Sequence, residues 1–151
     1  RRWEKDVLSK APDTVFCMIG INDVWRQFDS PAIPDEQVSP EEYRSNVEKM
    51  ILSVKDNVKG VFLMTPYHME PNAEDWMRKR MDTYGAICRE LAEKYGCFID
   101  LQAVFNDYFQ YRHSSYIAWD RIHPNQIGAT VIARAFLEKC GFDYNHRPGE
   151  E

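Results

Sequence analysis

Three short apolar runs constrain the fold more than any other feature of this chain. They are TVFCMI (residues 14–19), GVFLMT (60–65) and CFIDL (97–101). Each is nearly continuous in apolar side chains, the pattern of a strand buried on both faces. Segments with helical spacing lie between them. Ser39 can cap a helix, Pro40 suits its first position, and Glu42 completes a capping box. That helix is predicted to run to about Asn57, with Tyr43, Val47, Met50, Ile51 and Val54 turned inward. Residues 74–95 form a predicted long helix with Met77, Met81, Tyr84, Ile87, Cys88 and Leu91 as its stripe. Gly96 is expected to stop it in the left-handed conformation. Residues 104–112 and 125–140 are two more predicted helices, the second ended by Gly141. Residues 1–10 show a short helical pattern closed by APD. GINDVW reads as a turn, and residues 27–38, polar and punctuated by proline, read as a loop. Strands alternating with helices imply βαβ units and an α/β fold, a parallel sheet with helices on both faces. There is no internal repeat. Residues 1–142 read as part of a single domain and residues 143–151 as a polar tail expected to fray.

Composition narrows the function. A net charge of -5 argues against nucleic acid or an anionic membrane as the main partner. No run approaches the roughly 18 apolar residues of a membrane span. The four cysteines, Cys17, Cys88, Cys97 and Cys140, have no CxxC spacing and read as reduced, mostly buried thiols, which points to the cytoplasm. The chain opens RRWEKDV, without an initiator Met, and Trp3, Val7 and Leu8 already read as the apolar face of a helix. The expectation is a chain that begins inside a domain.

In parallel sheets, function gathers in the loops after the carboxyl ends of the strands. GIND, PYHME and DRIHP all fall there. In GIND, Gly20 allows a sharp turn and Asn22 presents an amide that can donate to a developing oxyanion; the same residues also suit an ordinary turn. In DRIHP, the spacing of three places Asp120 and His123 on one side of a helical turn. The carboxylate can orient the imidazole and leave its second nitrogen free as a base, or merely cap a turn. Trp25 and Trp119 flank the two motifs as candidate substrate-binding walls, or as core filler. His68 follows a strand end and suits a loop or substrate-contact role. Arg78, Lys79 and Arg80 read as a solvated helix face.

Taken together, a strand followed by GxND, two further βα units, and DxxHP entering a final helix resemble the SGNH (GDSL) hydrolase superfamily. RWEKDVL, MIGINDVWRQ, LMTP, RMDTYG and AWDRIHP resemble its acetylxylan esterase branch. The resemblance implies a flavodoxin-like three-layer α/β/α sandwich. It implies His123 as general base, Asp120 as its orienting acid and Asn22 as an oxyanion donor. The implied substrate is a small acyl ester, most directly acetyl groups on xylan or its oligosaccharides, with no metal and no organic cofactor.

The family's GDS block, which carries the nucleophilic serine, is not in these residues. The resemblance therefore implies that the sheet's first two strands precede Arg1, and that the isolated chain is inactive. Ser114 and Ser115 are the serines nearest Asp120 in sequence, but no strand–elbow–helix signal surrounds them. An open strand edge would favour a homo-oligomer or association with an N-terminal segment. Two alternatives stay open: a non-catalytic carbohydrate-binding or scaffolding module of the same fold, and a metal-dependent hydrolase using His68, His113 and His123.

Overall fold

The computed structural model describes residues 2–146 and Gly149. The three apolar runs form β1 (Thr14–Met18), β2 (Gly60–Met64) and β3 (Cys97–Ile99), parallel and in the order β1-β2-β3. Val15 pairs with Val61, Cys17 with Leu63, and Leu63 in turn with Phe98. Because side chains alternate along a strand, the sheet feeds two cores. Val15, Val61 and Leu63 pack with Val47, Ile51, Met81 and Leu91 on one face. Met64 and Ile99 pack with Leu101, Phe105 and Ala135 on the other.

The first core is roofed by α2 (Ile21–Asp29), α3 (Pro40–Val54) and α4 (Trp76–Tyr95), the second by α5 (Leu101–Phe109) and α6 (Gln126–Lys139). A four-residue helix, α1 (Trp3–Asp6), precedes β1 and lends Trp3 to the first core. Caps mark most helix starts. Ser39 Oγ accepts from Glu42 N, Asp75 from Arg78 N, Asp100 from Ala103 N, and Asn125 from Ile127 N and Gly128 N. Such caps satisfy amide donors that a first helical turn leaves without partners. Among the described residues, no helix is long and apolar enough to cross a membrane.

Five expectations need correction. The turn and loop predicted from GINDVW onward begin with nine residues of helix, α2, whose Ile21, Val24, Trp25 and Phe28 follow helical spacing although only Val24 is fully buried. Gly96 ends α4 but is extended, at φ -166, rather than left-handed. Its glycine is required by space: a Cβ there would lie 2.3 Å from the Val61 carbonyl oxygen. Arg78 is no solvated residue; it is buried, with Nε bonded to both oxygens of Asp82 at 2.9 and 3.1 Å. Of the cysteines only Cys88 is buried, while Cys17 and Cys97 are half-buried and Cys140 is exposed; all four are free thiols. The tail is not wholly loose at its start, since Tyr144 donates to the Arg134 carbonyl at 3.2 Å. Residues 147, 148, 150 and 151 lie outside the described residues.

Among the described residues β1 and β3 are both edge strands, each paired only with β2. At the β1 edge, Phe16, Met18 and Ile19 are 42%, 41% and 39% exposed.

Candidate active site

Gly20 begins the site. Its φ of +114 is a conformation that side-chain-bearing residues rarely adopt, and a Cβ would press on Tyr43 and Pro66 at 3.0 and 3.2 Å. The bend turns the chain from β1 directly into α2, so Asn22 sits in the first helical turn. Its amide is exposed at the amino end of a helix, where the backbone dipole favours negative charge.

The acid and base lie in a loop rather than on a helical turn. An antiparallel bridge between Ala118 and Pro124 pinches the loop shut. Asn125 bolts it down: its backbone N donates to Ile117 O at 2.8 Å and its amide to Tyr116 O at 2.9 Å, while its Oδ1 caps α6. Inside the loop Arg121 adopts φ +65, a left-handed conformation that costs energy for any residue bearing a Cβ. This twist turns two amides onto one oxygen. Asp120 Oδ1 accepts from Ile122 N at 3.0 Å and His123 N at 2.8 Å, and Oδ2 lies 2.6 Å from His123 Nδ1. The spacing of three thus brings acid and base together, by loop geometry. Turn-capping and histidine-orienting are both performed by the same carboxylate.

Burial works to raise the Asp120 carboxyl, but the bonds from the His123 ring, the His123 amide and the Ile122 amide outweigh it and hold the group at about 2. An ionised carboxylate accepts only, so His123 Nδ1 carries its proton toward Asp120 and Nε2 is left as the basic nitrogen. His123 and Asn22 line one cavity of about 790 Å³, together with Gly20, Asp23 and Tyr43. Trp25 meets the His123 ring edge-on, with centroids 5.4 Å apart at 84°. Trp119, beside Asp120 in the chain, is 87% exposed.

Other candidates fall away from this group. His68 is buried, which leaves no room for substrate contact, and its Nδ1 finds no partner. His113 Nδ1 lies 2.9 Å from Ser115 Oγ. Among the described residues no three His, Cys, Asp or Glu side chains come together as a metal cage, so His68, His113 and His123 are not gathered as the metal reading requires. Ser114 is buried in a 3₁₀ turn. Ser53 lines the cavity, but it accepts from the Trp3 indole at 2.8 Å and donates to Met50 O at 2.7 Å. Among the described residues no serine hydrogen bonds to His123.

Glu70 reaches this loop, and Arg78, expected on a solvated helix face, supports Glu70 from behind. Glu70, in the segment after β2, bonds the Arg121 guanidinium through one oxygen and accepts from Asn72 N through the other at 2.9 Å. The buried Arg78 of α4 holds the Glu70 carbonyl at 2.7 Å. Partners 51 residues apart leave no local signal.

Comparison with known proteins follows the same lines. The model of the GDSL-like lipase/acylhydrolase family matches residues 1–131. An acetylxylan esterase of Geobacillus stearothermophilus is 44% identical over 144 residues, 95% of this chain and 66% of that protein. Its crystal structure superposes with a TM-score of 0.94 at 43% identity, covering 96% of this chain and 67% of that one. An alpha/beta hydrolase from the metagenome of Lake Arreo, Spain, gives a TM-score of 0.90 at 51% identity, covering 93% and 65%. The chain therefore spans about two thirds of the length of these relatives. Catalytic mutants of the Geobacillus esterase replace a serine, an aspartate or a histidine by alanine. In that protein the aspartate lies three positions before the histidine, and a tryptophan changed to isoleucine directly precedes the aspartate.

Proposed function

This chain belongs to the GDSL-like lipase/acylhydrolase family, and from that premise we propose that it supplies the acid–base part of a serine esterase that removes acetyl groups from xylan or xylo-oligosaccharides. The observation that carries the reading is the Asp120–His123 pair, with His123 lining one cavity together with Asn22. The Trp-Asp-x-x-His spacing of the Geobacillus enzyme recurs here as Trp119, Asp120 and His123.

The nucleophile comes from a segment outside these 151 residues. In the relative, the serine is separated from the aspartate by more residues than precede Asp120 here. The serine oxygen bonds to the acetyl carbon as His123 Nε2 takes its proton, and the carbonyl electron pair moves onto oxygen. Asn22 donates to that oxyanion at the amino end of α2. The bond to the sugar oxygen then breaks as the imidazolium returns its proton to that oxygen. Water, deprotonated by the same nitrogen, bonds to the acetyl carbon; the bond to the serine oxygen then breaks as the imidazolium gives that oxygen the proton, and acetate leaves. Trp25 steadies the His123 ring, and Trp119 offers a face on which a sugar ring can stack. The open edge of β1 takes up the segment that carries the serine.

His123→Ala in the full-length protein tests this. Its turnover of 4-nitrophenyl acetate is expected to fall by about 10³-fold or more. A loss of only a few fold would refute the assignment. A coding sequence with no serine after a first strand would favour the carbohydrate-binding or scaffolding reading.

A further inference from the structure

We propose that Glu70 and Arg121 form a positioning clamp that sets the geometry of the Asp120–His123 pair. This inference rests on the esterase reading above. Its basis is a chain of contacts that begins in the buried part of α4 and ends between the acid and the base. Arg78 is locked to Asp82 and holds the Glu70 carbonyl at 2.7 Å. The Glu70 carboxylate, only 15% exposed, grips the Arg121 guanidinium. The next residue back toward β2, Met69, donates its amide to the Arg121 carbonyl at 2.9 Å. Arg121 is thus held from the same short segment by its side chain and by its backbone.

Arg121 is also the residue at φ +65, one of two described non-glycine residues with positive φ. Its backbone angle determines whether the Ile122 and His123 amides both reach Asp120 Oδ1. If Arg121 relaxes to an ordinary conformation, Asp120 loses those amides and its second oxygen swings from His123 Nδ1. Strained backbone persists only where its surroundings over-determine it, and the two contacts from residues 69 and 70 do so here. The charges agree with this arrangement. Burial opposes ionisation of Glu70, yet the Asn72 amide and Arg121 hold its carboxyl below the ordinary value. Burial, and then the Arg121 charge, push the neighbouring His68 below its ordinary value.

Arg121 is half exposed, and ion pairs of that kind add little to stability. The clamp should therefore show in catalysis rather than in melting. In the full-length protein on 4-nitrophenyl acetate, Glu70→Gln and Arg121→Met should each lower kcat by about tenfold. KM should stay within about twofold. The double variant should fall no further than either single, because both remove one link. Arg121→Lys, which keeps the cation, should stay within about threefold of wild type. In proton NMR, the signal of the His123 Nδ1 proton held by Asp120 should broaden or vanish in Glu70→Gln. Arg134→Ala, in an exposed helix pair remote from the loop, serves as the unaffected control. Wild-type turnover with an unchanged kcat in Glu70→Gln overturns the clamp, as does a double variant that multiplies the two losses. Absence of wild-type turnover refutes the esterase reading instead. The NMR comparison then decides alone, and an unaltered His123 proton signal in Glu70→Gln overturns the clamp.

Discussion

Replacing Asp120 by Asn tests the acid–base pair through stability alone, without any substrate. The Asp120 side chain is 18% exposed and accepts three hydrogen bonds, all within residues 120–123. Moving a carboxyl from its ordinary 3.8 to about 2 corresponds to about 2 kcal/mol of interaction with the ionised form. An amide keeps the shape but accepts more weakly and turns an NH₂ toward His123 Nδ1. Because the folded state holds this carboxyl below its unfolded value, the stabilisation is complete above about pH 4. It fades as pH falls toward about 2, where the folded carboxyl itself takes up a proton. Urea unfolding of wild type and Asp120→Asn, followed by circular dichroism, should give a gap of about 2 kcal/mol at pH 7. The gap should shrink between pH 4 and pH 2. An Asn variant as stable as wild type at pH 7 would refute the reasoning. So would a gap that does not change with pH, since it would report packing rather than charge.

Three further outcomes follow from the geometry. Asn22→Ala in the full-length protein should lower kcat by about 10²–10³-fold with little change in KM; steady-state kinetics on an acetyl ester would expose a loss confined to KM. Gly96→Ala should destabilise the fold by about 3 kcal/mol or prevent folding, since its Cβ would meet the Val61 carbonyl oxygen at 2.3 Å; an unchanged melting temperature would contradict the contact. The 151-residue chain alone should self-associate through the open edge of β1, and Met18→Lys should reduce that association. Light scattering that shows a monodisperse wild-type monomer would count against it.

The sheet was legible because burial on both faces leaves uninterrupted apolar runs, and the strands end within one or two residues of them. The helix capped at Ser39 was legible because cap, proline and Glu42 lie together in the sequence. Helix α2 was not, although Ile21, Val24, Trp25 and Phe28 stand at helical spacing, because Gly20 and Asn22 at its start resemble a turn. Gly96 was assigned a conformation when its constraint is a neighbour 35 positions away in the chain. The pairing of Asp120 with His123 was readable from spacing, but its cause lies in a pinched loop and a left-handed Arg121. The roles of Glu70 and of Arg78, which reads as a solvated helix residue, were not legible, because they depend on contacts made only after the sheet is assembled.

Asn125 has a further consequence. One side chain and one amide fasten the loop to Tyr116 and Ile117 and start the last helix. Residues 116–128 thus behave as a cassette whose internal length is fixed. A single residue inserted between Ala118 and Pro124 would shift the pinch and part acid from base, while leaving every strand pairing intact. Chemistry in this architecture can be lost or tuned by loop length alone, at no expense to the sheet that carries it.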